Sequence, residues 1–107
     1  MAEMRTVTGI EMQKRDAQRI SIFLDGEFAF GLHQDVLLES GIARGDRLSE
    51  ERIEAILALE QKRRAKEKAL RLLSVRSRSR KELADRLRQA KFSPEAIEYT
   101  LGEMERL

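Results

Sequence analysis

The chain has no cysteine and no tryptophan, a single proline, a single histidine, and aromatic residues at only 5% of its 107 positions. Without cysteine there is neither a disulfide framework nor a thiolate metal site, which suits a reducing compartment. A nitrogen-ligand metal site takes more than one imidazole, and only His33 is present. His33 has acidic neighbours in Asp35 and Glu39 and reads as a solvent-exposed residue at the start of a short helix. With no thiol nucleophile, and with serines mostly at helix starts, no catalytic constellation emerges. No apolar run approaches the roughly 20 residues of a membrane span, and residues 1–18 lack the apolar core of a signal peptide. The expectation is a protein without enzymatic activity, metal, cofactor, small-molecule substrate or membrane partner, working in the cytoplasm.

Charge is abundant instead. Charged residues make up 37% of the chain and hydrophobic ones 41%, enough apolar material to fold but not a generous amount. A chain of this length allows one ordinary domain or two very small ones. The net charge is only +2, but its distribution is uneven. Residues 62–91 carry 13 Lys and Arg against Glu67, Glu82 and Asp85. Residues 93–107 then turn acidic, with Glu95, Glu98, Glu103 and Glu105 against Arg106. A local basic patch of this kind is an electrostatic footprint for nucleic acid or for an acidic protein surface.

The first half reads as β. Residues 6–12 and 19–24 are strand-like, rich in Val, Ile, Thr and Phe, and residues 27–32 follow an Asp25-Gly26 hairpin signal. A two-residue turn there would set Ile20, Ile22 and Leu24 opposite Gly31, Ala29 and Glu27. A three-residue loop with Gly26 left-handed pairs even positions with even, so that Ile20, Ile22, Phe28, Phe30 and Leu32 share one face. Burial of one face sets register, which favours the bulged form; Phe23 and Ala29 then point the other way. A short helix over residues 34–40 should stop at Gly41, and Gly45-Asp46 should turn.

A long helix is predicted from residue 50 to about 75, roughly 39 Å at 1.5 Å per residue. Ser49 is its N-cap, Glu50 and Glu51 complement the first turn, and Leu48 can staple onto Ile53. Its start is amphipathic through Ile53, Ile56, Leu57 and Leu59 or Glu60, and its end through Ala65, Ala69, Leu72 and Leu73. Residues 60–64 between them offer no apolar position, as in a helix that bridges two bodies through solvent. This places a boundary between a small β region with a short helix, residues 1–60, and a three-helix repeat, residues 61–107. The alternative is one continuous domain with a long surface helix. Two further helices follow. One starts at the capping box Ser79-Arg80-Lys81-Glu82 and buries Leu83, Leu87, Ala84 and Ala90. The other starts at Ser93-Pro94, with the stripe Ile97, Leu101, Met104 and Leu107 and a staple from Phe92 to Ile97. It has no stop signal, which raises the expectation that the chain is a fragment of a longer array. The fold class is α+β, predominantly α.

Several cations have carboxylates in reach. Glu60 with Arg64, Glu67 with Arg71 and Glu82 with Arg86 stand at i, i+4; Arg63 can reach Glu67, and Asp85 can reach Lys81 or Arg88. Arg80, Ala84, Arg88 and Lys91 lie on one side of their helix, and Arg76 and Arg78 lie in the connection before it. Arg76, Arg78, Arg80, Arg88 and Lys91 are therefore the candidates for phosphate or carboxylate contacts, with a merely solvated face as the alternative. A helix-turn-helix over residues 79–106 would place the acidic helix in the groove, which argues against major-groove reading. The scarcity of exposed rings argues against base stacking.

Two stretches resemble the RecX family, bacterial regulators of the RecA recombinase. One is Leu24-Asp25-Gly26-Glu27-Phe28-Ala29-Phe30-Gly31-Leu32 with Val36-Leu37 and Gly45-Asp46-x-Leu48. The other is Ala69-Leu70-x-Leu72-Leu73-x-x-Arg76-x-Arg78-Ser79-x-x-Glu82-Leu83 with Leu87, Phe92, Ile97 and Leu101. The resemblance implies an amino-terminal β region, a first three-helix repeat, and a non-enzymatic regulator. That regulator would bind the RecA–DNA filament and modulate recombination and DNA repair, with inhibition as the favoured direction, in the setting of the SOS response. The alternative, which the basic patch supports without the resemblance, is a stand-alone helical module that binds the DNA backbone through phosphate contacts. The chain departs from the pattern at Ala90-Lys91-Phe92, where members usually have Lys-Gly-Phe, and it stops before the Gly-x-x-Asp-Asp-type turn that leads into further repeats.

Overall fold

The computed structural model describes residues 3–107. Its elements are β1 (Arg5–Met12), β2 (Arg19–Leu24), β3 (Glu27–His33), α1 (Gln34–Ser40), β4 (Arg47–Leu48), α2 (Glu50–Val75), α3 (Arg80–Gln89) and α4 (Pro94–Glu105). This is the expected α+β class, dominated by helix. The described chain separates into two compact units that divide within α2, one up to Leu57 and one comprising Ala58–Leu107.

The first unit is an antiparallel sheet in the order β3-β2-β1-β4. Asp25 and Gly26 both sit at positive φ, 53° and 84°, and Leu24 pairs directly with Glu27. The connection is thus a two-residue turn with both central residues left-handed, the form whose twist matches the flanking strands. The three-residue loop expected from the pattern does not form. The register change occurs one step inside the hairpin, where Phe23 pairs with Phe28 and Ile22 with Phe30, leaving Ala29 as the extra residue. The even-with-even pairing of Ile20 with Leu32 and Ile22 with Phe30 is therefore correct. Phe28, however, falls on the opposite face beside Phe23, with the rings edge to face at 6.0 Å, and is 60% exposed.

β1 carries a second irregularity, between Val7 and Gly9. It lets β1 clamp the β2–β3 turn: the Thr6 N–H donates to the Asp25 carboxylate at 3.0 Å and the Gly26 N–H to Thr8 Oγ1 at 2.9 Å. Val7, Ile20, Ile22, Leu24, Leu32, Val36, Ile42, Leu48 and Ile56 are buried. β4 is only two residues long, too short for any periodicity to reveal. It is placed by the Gly45-Asp46 turn, from which the Gly45 N–H reaches the Val7 carbonyl at 2.8 Å. α1 ends at left-handed Gly41 (φ 69°), as its sequence requires.

His33 differs from expectation. It is buried, and its Nδ1 accepts the Asp35 N–H at 3.0 Å, capping α1 in place of the usual hydroxyl or carboxylate. Ser49 caps α2 by accepting the Arg52 N–H at 3.1 Å. The all-polar stretch over residues 60–64 is not uniformly solvated. Glu60, four residues after buried Ile56 and so on the same helix face, is 5% exposed and engaged in polar interaction.

In the second unit Ala65, Ala69, Leu83, Ala84, Leu87, Ala96, Ile97 and Leu101 form one core, with Leu72, Leu73, Phe92 and Met104 packed against it. Alanines hold half of the buried positions, so the helices can approach closely while the core stays thin. Ser79 and Ser93 cap α3 and α4 by accepting the N–H groups of Glu82 and Ala96. Ala90, expected in the core, is instead the exposed C-cap of α3.

The two phenylalanine faces lead to a test. Leu24→Ala, at a fully buried site, is expected to cost about 2–5 kcal/mol, whereas Phe28→Ala should cost about 1 kcal/mol or less. Urea denaturation of both variants distinguishes this register from the one with Phe28 in the core, in which the two losses would be similar.

Candidate functional site

Four of the five cations singled out by the sequence are engaged inside the second unit. Arg78 has only 9% of its side chain exposed. Its Nε donates at 3.2 Å to the Leu72 carbonyl, which in the last turn of α2 otherwise receives only a long bond from the Arg76 N–H, 3.5 Å. A terminal nitrogen lies 3.9 Å from Glu82. Arg76 pairs with the same carboxylate at 2.8 Å. The Arg76 guanidinium, by hydrogen bond and by charge, holds the Glu82 carboxyl below its ordinary value of 4.5, and Arg78 and the Ser79 N–H act in the same direction. Arg80 reaches across to α4, meeting Glu98 at 3.3 Å and also Glu105. Arg88 pairs with Asp85 on its own helix. The expected row of Arg80, Ala84, Arg88 and Lys91 is also interrupted, since Ala84 is buried.

Lys91 is exposed and its side chain has no partner among the described residues. Its backbone is left-handed, φ 69°. The Lys91 N–H reaches the Arg88 carbonyl at 2.9 Å and the Phe92 N–H the Leu87 carbonyl at 3.2 Å, the pattern of a Schellman cap on α3, where glycine is usual.

The sequence-level pairing also overlooked cations. Glu67 binds Arg63 at 3.3 Å rather than Arg71, and Glu82 turns to Arg76 rather than Arg86. Lys62 lies 5.3 Å over the Tyr99 ring, and Lys66 is 3.5 Å from Glu103. Arg64, Lys68, Arg71, Lys81 and Arg86 remain without a partner among the described residues. The i, i+4, i+7 spacing of Arg64, Lys68 and Arg71 was legible; the choice each carboxylate makes between two cations in reach was not. Residues 58–107 contain 14 Lys and Arg against 8 Asp and Glu, while residues 1–57 contain 7 against 11. The second unit is thus strongly cationic and the first acidic. Among the described residues no three His, Asp or Glu side chains converge as a metal site, and no helix is long and apolar enough to cross a membrane.

The sequence profile of the regulatory protein RecX N-terminal domain matches residues 5–49, and that of the RecX first three-helix domain matches residues 65–104. The chain belongs to the RecX family. It is 36% identical over 104 residues to a regulatory protein RecX of Lactobacillus delbrueckii subsp. bulgaricus, covering 97% of this chain and 38% of the relative. It is 30% identical over 95 residues to that of Clostridium beijerinckii, covering 89% of this chain and 45% of the relative. A crystal structure of regulatory protein RecX superposes with a TM-score of 0.74 at 30% identity, over 94% of this chain and 49% of that one. The chain therefore spans less than half the length of these RecX proteins. The Lys-Gly-Phe usual in the family corresponds here to Ala90-Lys91-Phe92, which puts lysine at the left-handed position.

Two outcomes follow. Lys91→Gly should stabilise the protein by about 0.5–1 kcal/mol, the relief of a left-handed non-glycine residue less the entropy glycine adds to the unfolded chain; thermal melting of the variant checks this. Because Glu82 titrates lower when folded, its stabilisation is present above pH 4.5 and lost as pH falls through the folded-state value. Glu82→Gln should therefore melt below the parent at pH 7 and converge with it in acid, as followed by circular dichroism.

Proposed function

We propose that this chain is a non-enzymatic regulator that docks on the filament formed by a RecA-type recombinase on DNA and inhibits recombination and repair. It would act in the cytoplasm, without cofactor or small-molecule substrate. The observation that carries the reading is the occurrence of both RecX domains in order, the second within a unit, residues 58–107, that has an excess of six positive charges. A nucleoprotein filament is polyanionic, and a cationic module is attracted to it over a distance set by ionic strength. Lys91 belongs to the proposed contact surface, together with Arg76, Arg80 and Arg88. Their exposed ion pairs contribute little to stability, about 0–1 kcal/mol each, so a phosphate or a partner's carboxylate can replace the internal acid. Arg78 would support this surface from beneath through the α2 end.

A second reading, a stand-alone module that binds the DNA backbone, is favoured by the cations left unpaired in the second unit. Co-sedimentation with preformed RecA filaments on single-stranded DNA, beside DNA alone, at two salt concentrations, separates the two. Binding to filaments well above binding to bare DNA is the expected result. Equal binding to both would favour the backbone-binding module, and no binding to filaments would reject the proposal for this chain.

A further inference from the structure

Arg64, Lys68 and Arg71 stand at i, i+4 and i+7 on α2, which brings them onto one helix face. Arg64 and Arg71 are exposed and Lys68 is half-buried. None of the three has an ion or hydrogen-bond partner among the described residues. The carboxylates that could have neutralised them are committed elsewhere: Glu67 to Arg63, and Glu60 in a buried, engaged position. The other side chains along this face are Leu57, one turn further from the row than Gln61, Gln61 itself, whose Oε1 accepts the Ser93 N–H at 3.2 Å, and the exposed Val75 at the helix end.

We infer that Arg64, Lys68 and Arg71 form a phosphate-binding row that contacts the nucleic-acid backbone. This deepens the proposed function by naming the chemistry one face of the helical unit meets, and it rests on the reading that this unit meets nucleic acid. From Arg64 to Arg71 the row advances seven residue steps, roughly 10.5 Å of helix axis, the axial length of about three phosphate-to-phosphate steps along one duplex strand at roughly 3.4 Å each. Two of its three members are guanidiniums, whose forked donors match phosphate oxygens. The exposed apolar side chains of this face, Leu57 and Val75, stand beyond its two ends, and no aromatic or large apolar side chain interrupts the cations to form the central anchor around which protein interfaces are organised. Gln61, the one amide on this face, is occupied and does not offer the bidentate contact that reads adenine.

Fluorescence anisotropy of a labelled oligothymidylate, titrated over a series of NaCl concentrations, tests the row. Each phosphate contact contributes about 0.7 to the slope of log affinity against log salt for a single strand. Arg64→Gln/Lys68→Gln/Arg71→Gln is therefore expected to flatten the slope by about 2 and to weaken binding about tenfold or more at low salt. Circular dichroism should stay that of the parent. Arg64→Lys/Arg71→Lys keeps the charges and should keep the slope, which tests the idea even if the glutamine variant fails to fold. An unchanged slope in the glutamine variant would overturn the inference. So would binding of polyglutamate as tight as that of the oligonucleotide, which would assign the row to an acidic protein surface. Parent protein that sediments with RecA filaments yet has no affinity for naked DNA would overturn the row while leaving the filament reading standing. Salt-sensitive DNA binding with no filament binding would do the reverse.

Discussion

The second unit depends on one nearly buried guanidinium. In the last turn of α2 the Leu72 carbonyl receives only a long bond from the Arg76 N–H, 3.5 Å, and Arg78 supplies a second, shorter donor at 3.2 Å. From the same position it approaches Glu82, whose carboxylate also receives Arg76 and whose own N–H is capped by Ser79. Two helix ends are thereby closed by one small polar network. A core built half from alanine has little apolar area with which to set the angle between helices. Directional hydrogen bonds at the turn therefore matter more here than they would beneath a thick core.

That arrangement divides the positive charge into two populations. Arg76, Arg78, Arg80 and Arg88 are paired inside the unit, within the α2–α3 turn, across α3 and α4, or along α3, and of these only Arg78 is nearly buried. The uncommitted cations lie along α2, on α3 and at Lys91. A dense basic stretch can thus be structural at the positions that look most like a binding loop and free at positions that look like an ordinary solvated helix. The acidic first unit sharpens the contrast, because the attraction to a polyanion is confined to the helical part of the chain.

Most of the element list was legible because its signals are local. Ser49, Ser79 and Ser93 precede their helices, Pro94 opens α4, Gly41 closes α1, and each does this through groups within about one turn. The parity of the β2–β3 pairing was legible too, since only one parity buries Ile20, Ile22 and Leu32 together. The location of the bulge was not. A bulge inside the turn and one at Ala29 give the same parity farther along the hairpin, and they differ only in which face receives Phe28. β1, nineteen residues from the turn at the Thr6–Asp25 contact, reaches over to clamp the tight form.

The sequence by itself determined where the helices and the three longer strands lie, most of the apolar residues of the second core, and that basic charge gathers after residue 60. Those follow from periodicity and from groups that satisfy backbone donors and acceptors a few residues away. Only the tertiary structure decided that His33 is a buried cap, that Arg78 turns inward, and that Glu67 and Glu82 choose Arg63 and Arg76. Each of those choices lies between partners of nearly equal sequence distance. Packing of the helix ends, not local spacing, breaks the tie, and with it decides which cations are left to meet anything outside the chain.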